Sequence, residues 1–94
     1  MNNYRRGADF ERRVCKYFEK QGYFTIRSSG SHGLIDLVAI KAGEVKLIQC
    51  KLDGKLSLAE LEQLQELSRD SQCQVLLIYR EDRRMRALPI KEDN

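Results

Sequence analysis

The sequence predicts an α/β fold, because helical and strand-like hydrophobic patterns alternate along its 94 residues. The predicted order is one helix, three strands, a second helix and two strands. Apolar residues make up 41% and charged residues 33% of the chain, which is typical of a globular protein rather than a disordered one. A chain of this length makes one domain, over residues 1–94, and its small core makes a homodimer a reasonable expectation.

The first helix and the first strand are predicted by periodicity. Over residues 8–21, apolar side chains recur at the spacing of one helix face, and Gly22 is placed to end the helix. "YFTIR" then alternates like a strand, and the six small or polar residues "SSGSHG" that follow have the composition of a loop. The apolar residues of the helix are Phe10, Val14, Tyr17 and Phe18.

The next two runs, "LIDLVAIK" and "EVKLIQCK", predict a β-hairpin, because the Ala42-Gly43 pair between them is a turn signal. In this hairpin Lys41 faces Glu44. The same register places Asp36 directly opposite Gln49. A carboxylate in the otherwise apolar run "LIDLVAI" is unfavourable unless it meets a cation or hydrogen-bond donors.

The second helix is predicted over "LSLAELEQLQELSRD", where Ser57 and Glu60 form a capping-box pair. Its leucines recur every three residues, so the apolar stripe drifts around the helix and becomes wide. Such a stripe is compatible with ordinary core packing, and also with a margin that forms part of a dimer interface. The leucines are Leu58, Leu61, Leu64 and Leu67, and the strands "QVLLIYR" and "RMRALPI" follow them.

The charge and cysteine content of the sequence limit the classes of protein to which it can belong. The net charge is +3, with basic clusters in "YRRG", "ERR" and "REDRRMR" that fit either a solvated surface or nucleic-acid binding. Three widely spaced cysteines and one histidine favour neither a zinc site nor a disulfide framework, which indicates a reducing compartment. No secretory signal or membrane-spanning run is visible, so we expect a cytoplasmic protein, in the host cytoplasm if it is virus-encoded.

The predicted hairpin also gathers polar groups. Asp36, Gln49 and Lys51 share one face of the sheet, because strand side chains alternate between faces. One interpretation is a structural ion pair between Asp36 and Lys51. The other is a site for a hard cation such as Mg²⁺, since Glu11 lies at the edge of the helical apolar stripe and all three candidate ligands offer oxygens. The peptide carbonyl of Cys50 is a further oxygen that could bind the ion.

These residues resemble the PD-(D/E)xK nuclease superfamily and, within it, the archaeal-type Holliday junction resolvases. The similarity rests on "YRRGADFERRV", "IRSSGS", "IDLVAI" and "LIQCK" in the family's order, within the first 51 residues. It implies a restriction-endonuclease-like αβββαβ core, in which helices flank a mixed central sheet. The sequence departs from the family at Gln49, where the resolvases usually have glutamate; a "QxK" variant also occurs in Mrr-like restriction endonucleases.

The resemblance also implies roles for individual residues. It makes Glu11, Asp36 and Gln49 metal ligands, assisted by the Cys50 carbonyl, and it makes Lys51 the catalytic lysine. Basic positions near the scissile strand correspond to Arg12 and Arg27, and the active-site loop contains Ser29 and Ser31. Further contacts to the DNA backbone are expected from Arg5 and Arg6.

Three functions therefore follow as expectations. The first is a Mg²⁺-dependent endodeoxyribonuclease, with Mn²⁺ able to substitute, that resolves four-way DNA junctions as a homodimer through paired symmetric nicks. The second is an Mrr-like or general structure-specific endonuclease that acts on duplex or flap DNA. The third is a DNA-binding module that has lost catalysis, for which the amide at Gln49 is the main argument.

Overall fold

The computed structural model describes residues 3–28 and 33–91, and these form the predicted order of elements. Helix α1 begins at Asn3 rather than at residue 8, because the apolar stripe that marks the helix in the sequence starts only at Phe10, one turn and more after the backbone has become helical. The elements are α1 (Asn3–Lys20), β1 (Phe24–Arg27), β2 (Leu37–Lys41), β3 (Glu44–Lys51), α2 (Leu58–Ser71), β4 (Gln74–Glu81) and β5 (Arg84–Ile90).

The five strands form one mixed sheet in the order β1-β2-β3-β4-β5. All neighbouring pairs are antiparallel except β3 and β4, which run parallel. A parallel pair cannot be joined by a tight turn, so α2 makes the crossover between these two strands. The predicted mixed central sheet with flanking helices is confirmed.

The two helices cover different parts of the sheet and define two apolar clusters. Helix α1 packs on β1, β2 and β3, and its buried side chains meet Leu37, Ile48 and Ile78. Helix α2 packs on β4 and β5, where the fully buried Leu64 meets Val75, Leu77 and Ile90. On α1, the buried residues are Phe10, Val14 and Phe18; Tyr17, predicted on the same apolar face, is half exposed and packs edge-on against Phe18.

The hairpin between β2 and β3 has the predicted register, in which Lys41 pairs with Glu44. Both turn residues of the Ala42-Gly43 pair have positive φ, which matches the twist of the two strands. The ladder ends at the pair of Leu37 with Ile48, however, so Asp36 and Gln49 are not the strand pair that the sequence predicts.

The backbone hydrogen bonds of Asp36 do not continue this ladder. Its N–H donates to the carbonyl of Ile48 over 2.9 Å, and its carbonyl accepts the N–H of Ser28 over 2.9 Å. These two bonds attach Asp36 to both neighbouring chain segments just beyond the ladder. The departure from regular pairing occurs at the residue whose carboxylate is the candidate ligand.

Helix α2 begins with the predicted capping box of Ser57 and Glu60. Of the leucine stripe, Leu64 is fully buried and Leu61 and Leu67 are partly buried against the sheet, whereas Leu58 is 71% exposed. Core packing therefore accounts for three of the four leucines. No helix of the described residues is both long and apolar enough to cross a membrane.

Candidate active site

The carboxylate of Asp36 lies buried at the end of the β2–β3 hairpin, with only 8% of the residue exposed. Its Oδ2 accepts a hydrogen bond of 2.8 Å from the backbone N–H of Cys50. Burial raises the pKa of Asp36, while this hydrogen bond and the positive charge of Lys51 oppose the rise. The carboxylate therefore binds a proton more readily than an exposed aspartate does, and a nearby cation would favour its ionised form.

Gln49 is equally buried, at 8% exposure, and its side-chain oxygen is unsatisfied. Within residues 3–28 and 33–91, Oε1 of Gln49 is a buried acceptor that has no hydrogen-bond partner. Such an acceptor is costly, because it has lost its contact with water and gained nothing in exchange. An orphaned oxygen at this place fits a site for a cation.

Glu11 extends from α1 towards the same end of the sheet, and its side chain is 17% exposed. Burial and the negative charge of Asp36 raise the pKa of Glu11. The guanidinium of Arg27 opposes this shift, since its Nη1 lies 3.4 Å from Oε1 of Glu11. The two carboxylates are therefore close enough for the negative charge of Asp36 to act on Glu11.

Acidic, thiol and imidazole side chains alone do not provide three metal ligands at this site. Among the residues that the structure describes, no three His, Cys, Asp or Glu side chains come together as a possible metal site. The third predicted ligand is the amide of Gln49, which is outside that set of residue types. Its oxygen, together with those of Glu11 and Asp36, is the donor set to be tested.

Lys51 has a partner that the sequence analysis did not identify. Its Nζ lies 2.7 Å from Oε2 of Glu60, in the first turn of α2. Sequence spacing gave Glu60 a local role only, as a member of the capping box. A signal was nevertheless present, because the capping box follows Lys51 after a short turn and thus brings the first turn of α2 close to the end of β3.

The thiol of Cys50 does not belong to this polar cluster. It packs against the apolar cluster under α1, on the opposite face of β3 from Gln49, as strand alternation predicts. Burial, with the charges of Asp36 and Glu11, raises the pKa of the Cys50 thiol far above its usual range. A neutral, buried thiol is a poor metal ligand, which leaves the backbone carbonyl as the contribution to be considered.

The predicted DNA-binding arginines lie on α1 and β1, and they differ in their partners. Arg5 and Arg6 are exposed, and Arg12 pairs with Asp9 over 2.9 Å. Arg27 is engaged with Glu11. Ser29 and Ser31 lie outside the described residues.

Two further arginines extend the basic surface. A cavity of about 170 Å³ between α1 and β4 is lined by three arginines, Arg6, Arg13 and Arg80, and by one acidic residue, Asp9. Asp9 pairs with Arg12, and within the described ranges none of the three arginines forms an ion pair. A neighbouring open groove contains Arg6 and Lys51. The sequence gave no reason to connect Arg80 with α1, because their place around one cavity depends on the position of β4 in the sheet.

This fold, with a helical carboxylate, a buried aspartate and a lysine on the adjacent strand, is that of a restriction-endonuclease-like domain. The chain belongs to the archaeal Holliday junction resolvase (Hjc) family, whose model matches residues 2–93.

Individual relatives agree with this assignment. The chain is 44% identical over 54 residues to the crossover junction endodeoxyribonuclease Hjc of Methanocaldococcus jannaschii; the match covers 57% of this chain and 40% of the relative, so it spans less than half of that protein's length. The solved structure of Hjc from Archaeoglobus fulgidus, a Holliday junction resolvase, superposes with a TM-score of 0.74 at 27% identity, over 90% of this chain and 73% of that one.

Proposed function

We propose that the protein is a metal-dependent endodeoxyribonuclease that resolves four-way DNA junctions by paired symmetric nicks. Membership of the Hjc family across residues 2–93 is the observation that carries the choice of substrate. The clustering of Glu11, Asp36 and Lys51 at one end of the sheet supports hydrolysis rather than binding alone. A surface that only bound DNA would gain nothing from two carboxylates beside its phosphates.

The donor set fits a hard divalent cation. Glu11, Asp36 and Gln49 would hold Mg²⁺, or Mn²⁺ in its place, through oxygens, with the carbonyl of Cys50 as a further ligand. The unpartnered oxygen of Gln49 is the main support, since a cation would satisfy it. When bound, the ion supplies positive charge that offsets the carboxylates and polarises the scissile phosphate. An amide in place of glutamate removes one negative charge, so affinity for the metal should be lower than with Glu at this position.

The remaining residues would assist the reaction or bind the DNA. Lys51 either takes a proton from the attacking water or, as an ammonium, stabilises the charge that develops on the phosphate. Arg5, Arg6, Arg12 and Arg27 would contact the DNA backbone, which positions the duplex without reading its bases. Ser29 and Ser31 would approach a phosphate from the active-site loop.

A homodimer would supply the two nicks, one from each protomer, through a two-fold axis. Its proposed interface is the margin of α2 with the last strand. Leu58 is 71% exposed, and Leu88 of β5 is 49% exposed on the face that also carries the buried Ile90. Light scattering should give the mass of a dimer at micromolar concentration, and a monomer would contradict this part of the proposal.

The deciding experiment incubates the protein and Mg²⁺ with a synthetic four-way junction, a linear duplex and a flap. Paired symmetric nicks confined to the junction are expected, with Asp36→Asn and Lys51→Ala inactive. Cleavage of linear DNA at a comparable rate would favour the Mrr-like or general endonuclease instead. Binding without cleavage, in Mn²⁺ as well, would leave only a DNA-binding module.

The arginine cavity gives a separate test of DNA binding. Arg80→Ala should weaken binding to junctions of any sequence and reduce the slope of log K against log salt by about 0.9, the value for one lost phosphate contact. Arg84→Ala, an exposed arginine of β5, is the matched control and should leave the slope unchanged. A slope of Arg80→Ala equal to that of the parent would exclude the cavity from the DNA-binding surface.

A further inference from the structure

The first turn of α2 contacts the proposed catalytic lysine directly. Oε2 of Glu60 lies 2.7 Å from Nζ of Lys51, and each side chain is about one third exposed. Ion pairs at this exposure contribute little to stability, so the contact does not hold the fold together. Instead, the ion pair determines where the ammonium group of Lys51 lies.

The orientation of Glu60 is set within its own helix. Oε1 of Glu60 accepts the backbone N–H of Ser57 over 3.0 Å, and the N–H of Glu60 donates to Oγ of Ser57 over 3.0 Å. This capping box occupies one carboxylate oxygen and leaves the other for Lys51. The orientation of the Glu60 carboxylate is thus set by the capping box and does not depend on Lys51.

The chain between the two residues also has a defined shape. The N–H of Gly54 donates to the carbonyl of Lys51 over 3.1 Å, and the N–H of Lys55 donates to Oδ1 of Asp53 over 3.0 Å. Gly54 has a φ of +71°, and a Cβ there would lie 2.9 Å from the ring of Tyr79. Because this turn is tightly packed, the start of α2 keeps a fixed place relative to the end of β3.

Two acidic groups interact with Lys51. The carboxylate of Asp36 accepts the N–H of Cys50, the residue before Lys51, and the charge of Lys51 acts on it. Glu60 forms the ion pair with the ammonium group. A lysine side chain has four rotatable bonds, and an unattached one would sample many rotamers. The ion pair restricts that sampling at the point where the reacting phosphate is expected.

We propose that Glu60 is a positioning residue, which holds the ammonium group of Lys51 beside Asp36 for the cleavage step. The proposal rests on the nuclease function proposed above. Glu60 touches neither the metal ligands nor the substrate in this role; it acts through Lys51 alone.

The test is Glu60→Gln, because glutamine also serves in a capping box but carries no charge for Lys51. Single-turnover cleavage of a four-way junction should fall about tenfold, below the roughly 100-fold that a 1 Å misplacement of a reacting group can cost. The dissociation constant for the junction should stay within about twofold, since a lost carboxylate does not weaken DNA binding. The ¹H–¹⁵N signal of the Lys51 ammonium should be sharp in the parent protein and should broaden or vanish in Glu60→Gln.

Glu62→Gln is the matched control, since it makes the same change at an exposed site of α2 and should alter neither rate nor signal. A rate of Glu60→Gln equal to or above that of the parent would overturn the proposal. So would a lower rate with an unchanged Lys51 signal, because Glu60 would then act by another route. A parent protein that cuts no junction, yet shows the Lys51 signal and its loss in Glu60→Gln, would refute the nuclease function while leaving the contact itself established.

Discussion

Replacing Gln49 by methionine should make the metal-free protein more stable. The side-chain oxygen of Gln49 is buried and unpaired, and an unsatisfied buried acceptor costs about 1–3 kcal/mol. Methionine has nearly the same length and fills the space without a polar atom. Allowing for imperfect repacking, we expect the free energy of unfolding to rise by about 1–2 kcal/mol. In a domain of this size each kcal/mol corresponds to a rise of about 4–8 °C in the melting temperature.

The same substitution should abolish most of the stabilisation by metal. At the proposed site, Mg²⁺ at about 100 times its dissociation constant would add about 2.7 kcal/mol to the free energy of unfolding of the parent protein. Gln49→Met removes one proposed ligand, so this increment should largely disappear. Urea unfolding in EDTA and in saturating Mg²⁺ or Mn²⁺ measures both effects in one series.

The matched control is Gln63→Met, an exchange of the same residue types at an exposed position of α2. It should change stability by less than about 0.5 kcal/mol and leave the metal increment intact. The reasoning is refuted if Gln49→Met is less stable than the parent in EDTA. It is also refuted if the variant retains the full metal increment, because Gln49 would then be no ligand.

Three other substitutions test the fold and the charge balance of the site. Leu64→Ala, at a fully buried site under α2, should lower the free energy of unfolding by about 3–4 kcal/mol in urea titration; a loss below about 1 kcal/mol would mean that α2 packs loosely. Gly54→Ala should cost more than Gly43→Ala by thermal unfolding, because both glycines have positive φ but only at Gly54 would a Cβ meet the ring of Tyr79; equal losses would contradict this packing. Asp36→Asn tests the pKa of Asp36, which burial raises. Because of this shift, the metal-free folded state binds the proton of Asp36 more tightly than the unfolded state does. The parent protein therefore loses stability as the pH rises through the folded-state pKa. Unfolding in EDTA between about pH 4 and pH 8 should show this loss in the parent and a smaller one in Asp36→Asn; identical pH profiles would count against a perturbed Asp36.

Local patterns were sufficient to predict most of the fold. The turn at Ala42-Gly43 fixed the register of the central hairpin, because a two-residue turn leaves the strands only one way to pair. The capping box of Ser57 and Glu60 located the start of α2, since its two hydrogen bonds are made within four residues of chain. The N-terminal turns of α1 were missed, because their sequence, "NYRRG", shows no apolar residues at helical spacing.

The parts that the sequence did not predict depend on contacts between elements. The backbone of Asp36 leaves the ladder because it bonds to Ser28 and Ile48 at once, and no pattern in "LIDLVAI" contains that information. The ion pair of Lys51 with Glu60 requires the path of the β3–α2 turn. Periodicity assigns side chains to faces, but the partner that each one meets depends on how neighbouring elements are placed.

The single parallel contact of the sheet, between β3 and β4, also has a consequence for folding kinetics. The segment from α1 to β3 and the segment from β4 to β5 each contain a hairpin with a two-residue turn, and such hairpins form within microseconds. Joining them requires closure of the long loop that contains α2, which is slower because its contacts are distant in sequence. Lys51 pairs with Tyr79 across this seam. We therefore expect Glu60 to take its fixed place beside Lys51 only when the two segments dock, because the turn at Gly54 packs against Tyr79 of β4.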